Sequence, residues 1–215
     1  MSSLTGPATV TLLALLFLAG VPACKPMLYP AARAFGSPSE GELKKCRTAF
    51  IRLKDARATA RIVVYAAIDP VGTRKDPFAG TAELLAEQLK EKGWTHCSCA
   101  SGVPSVQPTP LLRNQLRYTW SRAHLYGRWV ETARPEGDFF LFLEVLAPPA
   151  NGIIGIQCYV VDASGQVAYA RLMNSHHFGG TTPKDPETAC RLILRAFLRD
   201  LERRAEEVFP PYGVG

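Results

Sequence analysis

The sequence predicts an α+β fold (α/β-like): one mixed sheet of about five strands, helices packed on it, in the order α-β-α-β-α-β-β-β-α. Three observations predict it. Between Asp138 and His177 the chain reads DFFLFLEVL, GIIGIQCYVV and QVAYARLMNSHH, three strand-like runs parted by turn residues, hence an antiparallel meander. RIVVYAAI (61–68), a helical pattern to Lys92 and a run from Trp94 to Cys99 form a strand-helix-strand unit, whose crossover is expected to be right-handed. Ala189, Leu192, Ile193, Ala196, Phe197, Leu201, Ala205 and Val208 then make one broad apolar stripe on a closing helix. With 215 residues, 47% of them hydrophobic, the chain is long enough for one well-buried core, expected over 41–209.

Each element has a local justification. Ser39 and Glu42 form a capping box ahead of Leu43, Cys46, Phe50 and Leu53, which recur at helical spacing, so a helix is predicted over 41–56. Its other face carries Lys44, Lys45, Arg47, Arg52 and Lys54, either a solvated face or a surface for anionic lipid. Residues 61–68 read as a buried strand ended by Asp69-Pro70-Val71-Gly72. Thr81 is expected to cap the next helix, with Leu85 and Leu89 inward and Gly93 as its stop. After a loop over 100–108, Thr109-Pro110 opens a helix to about Ala133. Leu112, Leu116, Ala123, Gly127 and Val130 lie on its packed side, with Arg113, Arg117 and Arg122 at the margins among Tyr118, Trp120, Tyr126 and Trp129.

Residues 139–146 are apolar on both alternations except at Glu144, the pattern of a central strand covered on both sides. In the next strand Ile154, Ile156, Cys158 and Val160 share one face while Gln157 and Tyr159 point the other way. Asp162-Ala163-Ser164-Gly165 is a hairpin connection in which Gly165 takes a positive φ. Asp185, Pro186 and Glu187 start the closing helix, Arg203 and Glu207 are expected to pair on its polar face, and 210–215 reads as a frayed tail.

The N-terminal stretch speaks to destination. VTLLALLFLAGVPA (10–23) is shorter than the about 20 residues that span a bilayer and suits a signal-peptide core over 1–23. No Lys, Arg, Asp or Glu precedes Cys24, so the usual basic flank is absent. Val21-Pro22-Ala23-Cys24 resembles the lipobox of bacterial lipoproteins. That resemblance implies cleavage before Cys24, lipid on its thiol, and stable anchoring by two or three chains. Lys25 in place of Asp implies, in a Gram-negative host, the periplasmic face of the outer membrane. An ordinary secretory signal and an uncleaved anchor are the other readings. Residues 24–40, rich in Pro, Ala, Gly and Ser, read as a lipidated cysteine and flexible tether.

No nucleophile elbow, phosphate loop, dinucleotide fingerprint or His-Glu-x-x-His occurs, so no catalytic residue is assigned, an enzyme is not expected, and no cofactor is implied. The formal charge of +6 is too small for its length to argue for nucleic acid. His96, Cys97, Cys99, His176 and His177 form the alternative, a zinc or copper set. Apart from Cys24 there remain Cys46, Cys97, Cys99, Cys158 and Cys190; a disulfide of Cys46 with Cys97 or Cys99 is the expected pairing in an oxidising compartment.

From Arg61 to Val208 the element order and the apolar-Asp-x-x-Gly hairpin (Val160 to Val167) resemble small α/β domains of envelope lipoproteins. These are the curli-secretion and penicillin-binding-protein-activator types, and the N-terminal domain of the TolB translocation protein. The resemblance implies a non-catalytic module bound to the membrane through Cys24 and to an envelope protein. An envelope hydrolase is a further alternative.

Overall fold

Nine residues of β1 (Arg61–Asp69) form the hub of the sheet, with β4 (Phe139–Leu146) parallel on one side. On the other side β1 is flanked by parallel β3 (His96–Cys99) along its first half and by a two-residue antiparallel β2 (Asp76–Pro77) near its end. β5 (Gly155–Asp162) and β6 (Val167–Asn174) follow β4 as antiparallel neighbours. The sheet is therefore mixed, and the fold is α+β. The computed structural model describes residues 38–69, 76–77, 80–100, 102, 104, 106, 115–147, 153–174 and 183–209, all within one compact unit.

The parallel pairing of β1 and β3 through α2 (Thr81–Glu91) is the expected strand-helix-strand unit. β2 was not foreseen, because two residues carry no periodicity to read.

Helix ends follow local chemistry. For α1 (Glu40–Asp55), Glu42 N–H donates to the Ser39 hydroxyl at 3.2 Å, and Ser39 N–H donates to the Glu42 carboxylate at 2.6 Å. For α4 (Pro186–Leu201), Thr188 N–H donates to Asp185 at 2.7 Å. α2 departs from expectation: Thr81 lies inside the helix and is buried, and the cap position is Gly80 at φ 81°, with no side-chain cap. Its other end is as expected, with Gly93 at φ 93°.

The closing helix is also shorter than its stripe. α4 ends at Leu201, Arg204 is extended, and a single turn, α5 (Ala205–Val208), follows. The break lets Phe209 turn back onto Phe50 (ring centroids 5.9 Å apart) and Trp120 (6.5 Å). Arg203 and Glu207 still pair, at 3.2 Å.

Two layers of helix sandwich the sheet. α3 (Gln115–Ala133) lies on the face of Tyr65, Phe142 and Tyr159, where Tyr126 stacks on Phe142 at 4.1 Å. α4 covers the other face, with Phe197 against Tyr169. Every residue of β4 and β5 is buried, so β5 is covered on both sides, Gln157 and Tyr159 included. The helix and hairpin meet closely at two glycines. A Cβ on Gly127 would stand 2.3 Å from the Gly165 carbonyl oxygen, and Gly165 has φ 81°.

Candidate functional site

The most unusual chemistry among the described residues lies between α3 and the sheet. Glu144, sixth of the eight residues of β4, is the ionisable residue of that strand and is 0% exposed. α3 brings Tyr118, Arg122 and Tyr126 onto its sheet-facing side at four-residue steps, which the helical period stacks one above another. Arg122, 1% exposed, donates to Glu144 twice, from Nη2 at 2.5 Å and from Nε at 3.2 Å. The Tyr126 hydroxyl donates to the same carboxylate, and the guanidinium carbon lies 5.4 Å from the Tyr126 ring centre.

Arg122 is thus no marginal, snorkelling arginine. Burial, the largest single influence, would lower its pKa, but the Glu144 charge, the Tyr126 and Tyr159 phenols and the hydrogen bond to Glu144 together hold it above the ordinary value. Burial and then the Glu144 charge push the Tyr126 and Tyr159 phenols well above theirs, so both are neutral hydroxyls.

Across the ladder Glu144 faces Gln157, and two residues on, Tyr159 faces Phe142. Both amide atoms of Gln157 and the Tyr159 hydroxyl are fully buried and have no hydrogen-bond partner among the described residues. An unpaired buried polar group costs on the order of 1–3 kcal/mol, so three together are a substantial local penalty.

Their position in the topology is notable. The helix after β1 leads to β3 on one side, whereas β4 leads through its hairpin to β5 on the other. Ala67 of β1 is the register partner of Glu144, near the carboxyl ends of both strands.

A second cluster lies on the opposite face. Asp200, 2% exposed, accepts from the Tyr169 hydroxyl at 2.9 Å and from Arg171, with Arg203 3.7 Å away. It ties α4 to β6 and reads as a structural clamp.

The residues proposed from sequence are dispersed. Cys24, His176 and His177 lie outside the described residues. On β3, Cys97 is buried while His96 and Cys99 are exposed. No group of three His, Cys, Asp or Glu side chains able to hold a metal occurs among the described residues. Cys46 lies on α1 beside Gln166, whose amide donates to its sulfur at 3.2 Å. β3 is at the far edge of the sheet from β6, with β1, β4 and β5 between, a width of roughly 19 Å at about 4.8 Å per strand. A disulfide holds its Cα atoms within about 7 Å, so the expected pairing of Cys46 with Cys97 or Cys99 is not formed, and all five described cysteines are free thiols.

The basic face of α1 is largely used internally. Arg47 donates to the Phe209 carbonyl at 3.0 Å, Lys54 to the Arg203 carbonyl at 3.1 Å, and Arg52 to Asp162. Lys44 and Lys45 are left facing solvent.

Sequence reasoning flagged Glu144 as the exception in its strand but missed its partners. The available signal was the spacing of Tyr118, Arg122 and Tyr126 on one helical stripe. No protein-family model matches the chain, and no curated protein matches it.

Proposed function

We propose that this chain is a lipid-anchored envelope protein whose folded domain serves protein interaction or assembly and does not catalyse a reaction. The observation that carries the reading is Val21-Pro22-Ala23-Cys24, behind an apolar run and ahead of a Pro/Ala/Gly/Ser-rich stretch that ends where the Ser39 capping box begins α1. Acylation at Cys24 and a tether of that composition would hold the domain off the membrane surface. With Lys25 next, the place in a Gram-negative envelope is the periplasmic face of the outer membrane.

Two features of the domain support a binding role. The buried carboxylate Glu144 is already engaged by Arg122 and Tyr126, which suits a fixed scaffold better than proton transfer. Among the described residues β3 pairs with β1 alone, and the edge they leave there offers backbone groups to which a partner's strand can add.

Metabolic labelling with palmitate tests the anchor. The full chain is expected to incorporate label and to fractionate with membranes, and Cys24→Ala to lose both. Labelling that persists in Cys24→Ala, or a full chain that takes up none, would overturn the reading. Cross-linking on intact cells followed by identification of the captured envelope protein tests the assembly role.

A further inference from the structure

We propose that Gln157 and Tyr159, beside the Arg122–Glu144 pair at the carboxyl end of β4, form a binding site for a small uncharged group that both donates and accepts hydrogen bonds, a carboxamide above all. The inference is independent of anchoring at Cys24. Its basis is the combination of three unpartnered buried atoms (Gln157 Nε2 and Oε1, Tyr159 Oη) with a charged pair already satisfied beside them. Both residues are 0% exposed and lie two apart on β5, hence on the same face of the sheet. Gln157 is opposite Glu144, and the Tyr159 ring is 5.6 Å from that of Tyr126, so both side chains lie on the α3 side of the sheet.

The chemistry selects the ligand class. Arg122 and Glu144 cancel one another through two hydrogen bonds, so an anion finds the guanidinium engaged and a cation finds the carboxylate engaged. The neighbouring phenols stay protonated. A neutral guest is what remains. The Gln157 amide presents a donor and an acceptor side by side in one plane, which a second carboxamide matches with two parallel hydrogen bonds, while Tyr159 can give or take a third. Water has the same donor-acceptor character and is the competing occupant.

The test uses the full chain in detergent micelles, ¹⁵N-labelled, titrated with acetamide. The Gln157 side-chain amide signals, identified by their loss in Gln157→Met, are expected to shift saturably, with a parallel rise in Tm. Tyr159→Phe, which keeps the ring, is expected to weaken the acetamide effect by about tenfold, the equivalent of one hydrogen bond. Sodium acetate and methylammonium chloride at equal concentration are expected to leave these signals in place. The proposal is overturned if a water cross-peak to the Gln157 amide persists unchanged through the titration, if the charged analogues act as strongly as acetamide, or if Tyr159→Phe responds like the unmodified chain.

Discussion

Glu144 is a carboxylate in the interior of an apolar strand, and its presence there is tolerable because Arg122 and Tyr126 meet it from α3. Removing one member leaves the other charge buried without this countercharge, which costs roughly 3–5 kcal/mol, whereas replacing both by apolar groups of similar volume is close to neutral. Glu144→Leu and Arg122→Met are therefore each expected to lower the urea-unfolding free energy by about that amount. The double variant should recover most of the loss. Single effects that simply add in the double variant would contradict a coupled pair. At this scale the sequence was half legible. One acid in FFLFLEVL is an anomaly on its face. Its partner sits 22 positions earlier on a helix, and nothing local says which side of that helix meets the sheet. Arginine's habit of snorkelling made the margin the natural expectation for Arg122, and a carboxylate at the right height overrode it. The same holds for Gln157 and Tyr159, placed correctly on the second face of β5 but not foreseen as buried, because that depends on what α3 covers.

Elements were most legible where their ends are written in neighbouring residues. The capping box of α1 and the Asp185 cap of α4 form as expected because each joins groups three residues apart. Ser39→Ala is expected to destabilise the protein by about 1 kcal/mol. The hydrogen bond from the Ser39 backbone, foremost, holds the Glu42 carboxyl below its ordinary value. A depressed folded-state pKa gives stability that is full above the ordinary carboxylate range and is lost as pH falls through the folded value. In Glu42→Gln, which removes the titrating group, the acid limb of a stability-versus-pH profile should flatten, and an unchanged limb would contradict this account. Encounters between elements are another matter. Gly127 was legible as a packed position of α3 and Gly165 as a turn glycine, yet their contact belongs to neither segment alone. With a Cβ placed 2.3 Å from the Gly165 carbonyl oxygen, Gly127→Ala must displace α3 or the hairpin. A loss of about 2 kcal/mol or more in thermal unfolding is expected, with hydrogen exchange faster at the hairpin than in α4. The break between α4 and α5 was illegible for the same reason, since the stripe continues while Phe209 is drawn to Phe50 and Trp120.

For the whole molecule, strand adjacency decides which distant residues can meet. The meander was readable from its turn residues, but the placement of β1 between β3 and β4 depends on which face of the sheet each crossover helix covers, which the sequence does not say. That single fact sets Cys46 and Cys97 on opposite sides of the sheet and separates the cysteines into distinct surroundings. Cys46, Cys97, Cys158 and Cys190 are buried, while Cys99 is exposed at the β3 edge. Burial pushes the Cys46 and Cys190 thiols up to about 12 and Cys97 to about 11, and it raises Cys158 as well. Because the thiolate is the nucleophile, these four are protected twice over, by inaccessibility and by protonation. In a Cys24→Ala full-length chain, iodoacetamide at neutral pH is expected to modify Cys99 rapidly and the other four at the rate of local or global unfolding. Peptide mapping by mass spectrometry before and after denaturation reads this directly. If the sheet order were wrong and Cys46 lay beside β3, mild oxidation would cross-link it to Cys97 or Cys99. The present arrangement instead leaves Cys99 titratable by one equivalent of reagent and Cys46 reduced until the sheet opens.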